Sequence, residues 1–158
     1  MMQILLPDEA ANKLTEALKK AGNKEVGGIL MGEQVSEDIF RVKDLTIQSH
    51  GGTSASFTRF LEGNLSALEN FFRQTGYDFT RFNYLGEWHS HPAFALEPSG
   101  TDCNTIWEIL EDSSIGANFA VLMIVRLNDA DQLEGTLTVF FSGHQIFKGT
   151  LIQEMADF

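Results

Sequence analysis

The sequence predicts a mixed α+β domain, a β-sheet of mixed strand direction with helices packed against it. Apolar residues recur at helical spacing in three separated stretches, and strand-like apolar runs lie between them. The last three such runs follow one another with only turns between them, which argues against a regular βαβ repeat. At 158 residues and 43% hydrophobic content, the chain suits one domain spanning residues 1–158. A chain of this size buries about two thirds of its unfolded surface and needs no disulfide scaffold.

Gln3 to Leu6 reads as a short strand. From Pro7 to Ala21, the residues Ala10, Leu14, Ala17, Leu18 and Ala21 recur at helical spacing. Pro7 suits a first helical turn, and Gly22-Asn23 is a stop signal. Val26 to Gly32 is apolar and broken by glycine, the mark of a buried strand closely approached by other backbone. Phe40 to Ile47 alternates, but its register changes between Val42 and Leu45, which predicts a bulge. His50-Gly51-Gly52 is a turn. A second helix, Leu61 to Thr75, carries Leu61, Leu65, Leu68, Phe71 and Phe72 on one side. Phe82 to His91 is the next strand, followed by a loop with Pro92 and Pro98 and a third helix from Ser99 to Glu111. Phe119 to Leu127, Leu133 to Phe141 and Gln145 to Leu151 are strands joined by turns at Asn128–Gln132 and Ser142-Gly143, as antiparallel hairpins require.

The 11 basic and 22 acidic residues give a net charge of -11. Such a chain repels phosphate backbones and anionic lipid surfaces, so neither nucleic acid nor membrane is an expected partner. The N-terminal apolar run is too short for a signal-peptide core, and no stretch approaches the ~18 apolar residues of a membrane span. One cysteine, Cys103, precludes an intrachain disulfide and fits a reducing compartment. The expectation is a soluble cytoplasmic protein.

The chemistry concentrates in Gly86-Glu87-Trp88-His89-Ser90-His91-Pro92, continuing to Ser99-Gly100-Thr101-Asp102. On a strand His89 and His91 point to one face, and their rings can converge on one cation. Asp102, in the first turn of the third helix, supplies a third donor. Two imidazoles and a carboxylate leave a fourth zinc position open, the composition of a catalytic rather than a structural site. The donor types suit zinc and also admit iron or manganese. Ser99-x-x-Asp102 reads equally as a helix cap, worth ~1 kcal/mol, and a capped helix start would also hold Asp102 rigidly. Glu25, just before the glycine-rich strand, and Glu87, on the face of His89, are rival carboxylates for the reacting water.

Glu25-Val26-Gly27-Gly28, His89-x-His91 and Ser99-x-x-Asp102, in this order and spacing, resemble the JAMM (JAB/MPN, or MPN+) metalloenzyme family, zinc isopeptidases that remove ubiquitin and ubiquitin-like proteins. The resemblance runs from Glu25 through the strands after Asp102. It looks most like the small bacterial JAB-domain members of anti-phage operons (CBASS and Bil-type systems), encoded beside E1-like and E2-like proteins. It implies the MPN/JAMM fold, a mixed curved sheet flanked by helices (cytidine-deaminase-like), and one Zn2+ per chain. By this resemblance His89, His91 and Asp102 hold the zinc. Glu25 acts as general base and passes the proton to the departing amine. Ser99 hydrogen-bonds the oxyanion. The family pattern favours Glu25 over Glu87, leaving Glu87 an outer role such as orienting a histidine. The implied partners are a ubiquitin-like protein and its conjugates, with the E1-like and E2-like operon proteins beside them.

No acyl-enzyme is needed, so Cys103 is expected to pack as a small buried hydrophobe. Trp88 should face away from the histidines and pack under a helix, and Trp107 should join the core. His50 and His144 are expected at the surface. The segment from Pro92 to Pro98 is apolar for a loop. It either tucks into the core or, through Phe94 and Leu96, lines a groove that takes an extended tail by strand addition, with Gly51 to Phe60 as the other wall. Two other functions stay open: an MPN scaffold without activity, and a metallopeptidase acting on a sulfur-carrier protein.

Overall fold

The computed structural model describes residues 1–49, 57–93, 95–113 and 116–155; of residues 49 and 57–63 it describes the backbone alone. His50, the 51–56 part of the expected groove wall, and Phe94 lie outside the described residues.

The order is β1 (Gln3–Pro7), α1 (Asp8–Ala21), β2 (Val26–Ser36), β3 (Ile39–Leu45), β4 (Gln48–Ser49), α2 (Phe57–Gln74), β5 (Phe82–Ser90), α3 (Gly100–Glu111), β6 (Phe119–Leu127), β7 (Leu133–Phe141) and β8 (Gln145–Glu154). The expected mixed sheet with helices against it is present. Its strands run β3-β1-β8-β7-β6-β5-β2-β4, and β3 pairs also with β2. Seven strands thus close into a ring, with β4 added outside β2. The pairs β1–β3, β1–β8 and β5–β6 are parallel and the others antiparallel.

One sheet face buries Ile4, Leu6, Leu30, Leu85, Trp88, Val121 and Met123 against Leu14 and Leu18 of α1. The period of α1 explains the match, since Leu14 and Leu18 stand one turn apart. Pro7 ends β1 and caps α1 rather than opening its first turn. The other face packs Ala120, Leu122, Ile124 and Phe140 against Ile106 and Ile109 of α3, and Ile29 and Met31 against Phe71 of α2.

Of the register shifts among the described strands, two keep these faces consistent. The first lies in β3, where Met31 pairs with Asp44 and Gly32 with Val42, at the position the broken alternation predicts. The second lies in β5, where Leu30 pairs with Gly86 and Met31 with Tyr84. It sends Leu85 to the α1 face and leaves Tyr84 on the side of Glu87 and His89. Gly86 has φ 152°, and a Cβ there would overlap the Val121 carbonyl oxygen. Gly86→Ala is therefore expected to cost on the order of 3 kcal/mol or more, from backbone strain plus displacement of β6. Urea denaturation measures it, and a midpoint equal to wild type would contradict this account.

α2 begins four residues earlier than the spacing suggests and is rotated by about one position. Leu65, expected inside, is 51% exposed, while Asn64 is 3% exposed. The amide takes the inward position because it is hydrogen-bonded there, to Thr46 and Gln48. No helix among the described residues is long and apolar enough to cross a membrane.

Candidate metal centre

Strand β5 ends on the α2/α3 face of the sheet, at the end where β2 begins. His89 lies opposite Gly27 of β2 and level with Ile124 of β6. His91 is one residue past the strand, yet its N–H still donates to the Val125 carbonyl at 3.0 Å. Gly27 permits this approach: a Cβ there would meet the Trp88 carbonyl oxygen at 2.6 Å and the His89 Cβ at 3.0 Å. Trp88 points to the opposite face as expected, is 1% exposed, and donates its Nε1–H to the Thr46 carbonyl at 2.8 Å.

α3 brings the third donor. Ser99 is its N-cap: Ser99 Oγ accepts from the Asp102 N–H at 3.1 Å, and the Ser99 N–H donates to Asp102 Oδ2 at 2.8 Å. The box locks Asp102 with Oδ2 facing the histidines. His89 Nε2 and His91 Nε2 are 3.1 Å apart, and they lie 3.3 and 3.6 Å from Asp102 Oδ2. Ligands ~2.0–2.1 Å from a tetrahedral zinc stand about 3.3 Å from one another, so the triangle fits such an ion. His91 Nδ1 lies 2.9 Å from the Ala95 carbonyl. A carbonyl can only accept, so Nδ1 carries the proton and Nε2 is left with a lone pair directed at the centre. The cap is present, and it is compatible with Asp102 serving as a ligand, because the same carboxylate faces both histidines. Among the described residues, His89, His91 and Asp102 are the group of His, Cys, Asp and Glu side chains that could hold a metal ion.

Burial alone would raise the Asp102 pKa. The hydrogen bond and charge of His89, with the hydrogen bonds from Ser99, outweigh it and hold the carboxyl well below the usual range. Glu87 behaves oppositely. It is 5% exposed, its Oε1 has no hydrogen-bond partner, and burial, with a smaller push from Asp102, raises its pKa from 4.5 to about 8. Burial, and then Glu87, also raise the Tyr84 hydroxyl well above its usual value; that oxygen too is buried without a partner. Cys103 is half-buried rather than fully buried, and burial, then Asp102, raise its thiol pKa.

The raised Glu87 pKa fixes a sign. A group whose folded pKa lies above its unfolded one binds protons more tightly when folded. Its stabilising contribution is complete below about pH 4.5 and is lost as pH rises toward 8. In metal-free protein, Glu87→Gln is expected to remove about 3 kcal/mol of the stability difference between pH 5 and pH 8. Urea titrations of both proteins at both pH values check this; parallel losses would refute it.

Glu25 immediately precedes β2 and is half-buried. Val26 is anchored by its N–H to Ser90 Oγ at 3.0 Å. The β2–β5 pairing ends at Gly27 and His89, and Glu25 stands two residues before Gly27, at the end of the sheet that carries the histidines. Leu96 packs against the Ile106 and Ile109 cluster, as the core reading of this loop expects. Trp107 stacks edge-on to Phe140 and lies beside His144, which is exposed and hydrogen-bonded to Glu111. Sequence reasoning missed Thr46, Asn64 and the Ala95 carbonyl. Only Asn64 left a signal, a polar residue at an apolar helical position.

A family model described as prokaryotic homologs of the JAB domain matches residues 7–135. The chain is 30% identical over 125 residues to a CD-NTase/cGAS isopeptidase of Enterobacter hormaechei subsp. hoffmannii (strain UCI 50), covering 77% of this chain and 66% of that protein. It is 33% identical over 104 residues to 26S proteasome non-ATPase regulatory subunit 14 of Dictyostelium discoideum, covering 65% of this chain and 33% of that protein. The chain thus spans about two thirds of the first relative's length and one third of the second's. The solution structure of protein DSY2949 from Desulfitobacterium hafniense superposes with TM-score 0.70 at 18% identity, over 97% of this chain and 94% of that one. A Salinibacter ruber protein does so with TM-score 0.55 at 14% identity, over 99% and 94%. With the family match spanning most of its length, the chain belongs to the prokaryotic JAB-domain family.

Proposed function

We propose that the chain is a zinc-dependent isopeptidase or peptidase that cleaves after the C-terminal tail of a ubiquitin-like protein, in deconjugation or precursor processing. The observation that carries this reading is the convergence of His89 Nε2, His91 Nε2 and Asp102 Oδ2 within 3.6 Å, with Ser99 hydrogen-bonded to Asp102. The isopeptidase named among its relatives supports the substrate class.

His89, His91 and Asp102 would hold one zinc ion per chain. When bound, the ion supplies Lewis acidity, polarising the scissile carbonyl and lowering the pKa of a water to about 7. Glu25 takes a proton from the attacking water and returns it to the departing amine, so the balance is one water added and one C–N bond broken. Ser99 Oγ already accepts the Asp102 N–H, and its own O–H proton is left to donate to the developing oxyanion, an effect of ~10²–10³-fold in other hydrolases. Leu96 and Phe94, with the 51–60 span, would line the tail groove. Action in a reducing cytoplasm beside E1-like and E2-like proteins of a defence operon completes the reading.

The test is hydrolysis of ubiquitin and ubiquitin-like fusions by purified protein, before and after chelation. Activity lost to chelator and restored by zinc is expected. One bound zinc without turnover of any such fusion would leave a metal-holding scaffold or a sulfur-carrier peptidase and overturn the proposal.

A further inference from the structure

The ladder between β5 and β6 begins at Gly86 and Val121, although β5 starts at Phe82 and β6 at Phe119. No rung joins residues 82–85 to residues 119–120. A cavity of about 640 Å³ opens there, between α2, the start of β5 and the 116–119 segment. That volume lies within the ~300–1,000 Å³ of small-molecule sites. None of His89, His91 and Asp102 lines it.

The walls are largely apolar. Leu65, Leu68, Phe72, Phe79 and Phe119 line the cavity, and Leu65 and Phe79 are each 51% exposed. Large apolar side chains grouped in water around a concave site mark a place where an apolar group binds. The chain has 22 acidic residues, yet no Asp or Glu occurs among the described lining residues. Their charged member is Arg81.

Arg81 can turn to an anion because its present partner does not depend on it. Glu33, itself buried, meets Arg81 at 3.3 Å, Arg41 at 3.4 Å and Lys43 at 3.9 Å. Arg41 also binds Glu154, so three cations face two carboxylates. Both Arg81 bonds to Glu33 Oε2 are 3.3 Å long, beyond the ~2.7–2.9 Å of a strong charged hydrogen bond. The Arg81 side chain is 62% exposed, while its backbone is tied down, the carbonyl accepting the Gln34 N–H at 2.8 Å. Other polar groups on the wall are already engaged: the Thr80 hydroxyl donates to Asp78, and the Asn83 amide donates to the Phe79 carbonyl.

We propose that this cavity binds a small anionic amphiphile, a medium-chain carboxylate, with its tail among Leu65, Leu68, Phe72 and Phe119 and its carboxylate on Arg81. Burial of the tail supplies most of the affinity, and the guanidinium selects the anion. The site does not depend on the isopeptidase reading.

The probes are decanoate and its uncharged counterpart decanol, titrated into the protein as purified and followed by methyl NMR. Shifts at Leu65 and Leu68 are expected, with none at Ile124, which lies level with His89. The Kd for decanoate should be on the order of 10–100 μM. Arg81→Gln should weaken decanoate roughly five- to tenfold and leave decanol unchanged. Leu65→Asp should weaken both probes at an unchanged melting temperature, since Leu65 is exposed. Shifts at Ile124 in place of Leu65 would put the carboxylate at the metal centre and overturn the proposal. Decanoate binding that Arg81→Gln leaves unchanged, or the absence of saturable binding below about 1 mM, would overturn it as well. An apolar tetrapeptide that binds more tightly than decanoate through its C-terminal carboxylate would make this a peptide site, and the small-molecule assignment would fall.

Discussion

Glu25→Gln is expected to lower kcat by roughly 10²–10⁴-fold while the protein keeps its full metal content and melting temperature. The amide has the size of the carboxyl but cannot accept a proton at neutral pH. Glu25 is half-buried, ahead of the first residue of β2, and is not one of the three converging side chains. Folding and metal loading should therefore be untouched. Glu87→Gln, by contrast, should reduce turnover only modestly, because Glu87 is two strand residues from His89, ~6.6 Å along the strand, and packed inside. Steady-state kinetics of both variants, beside metal analysis, separates the two carboxylates. A fully active Glu25→Gln enzyme would give the base role to another group.

Asp102→Asn is expected to weaken metal binding strongly and leave the helix intact. Asparagine is as good an N-terminal helix residue as the capping box needs, since its amide oxygen can still accept the Ser99 N–H that now bonds Oδ2 at 2.8 Å. What it lacks is the negative charge that balances a dication. Affinity should fall by roughly 10²–10³-fold, one ligand's share of a structural-scale zinc binding energy. Mass spectrometry of freshly purified protein should find near one zinc per wild-type chain and almost none in the variant. Zinc should raise the melting temperature of wild type alone, because only a state that binds is stabilised by mass action. Equal zinc content in both proteins would remove Asp102 from the ligand set.

Much of this site is legible in the residues themselves, for reasons that differ by position. His89 and His91 announce a shared face because strand parity is rigid, and Trp88 between them must point away. Ser99 and Asp102 announce a helix start because the spacing of a cap is set by the first turn. The pattern around Glu25 becomes a site only by resemblance, since bringing the start of β2 beside the end of β5 depends on a strand pairing between residues more than 60 positions apart. Strand identities are legible from period and turns, but ring closure is not. Nothing local in Ile39–Leu45 says that it pairs with two strands. Leu65 and Asn64 exchange roles because hydrogen bonds to Thr46 and Gln48 outweigh the apolar stripe, and those partners lie 16 to 18 positions away.

The double pairing of β3 also bears on how the chain reaches its native state. β1 is held between β3 and β8, with Gln3 opposite both Ile39 and Thr150. The ring stays open until the last strand docks beside the first, so its final contacts span nearly the whole sequence. Such long-range pairing makes for slow folding. Until β8 arrives, β1 and β7 present bare hydrogen-bonding edges, the kind of surface on which nascent or truncated chains associate. A cell making this protein would then meet its greatest aggregation hazard after His89, His91 and Asp102 have emerged and before the ring has closed.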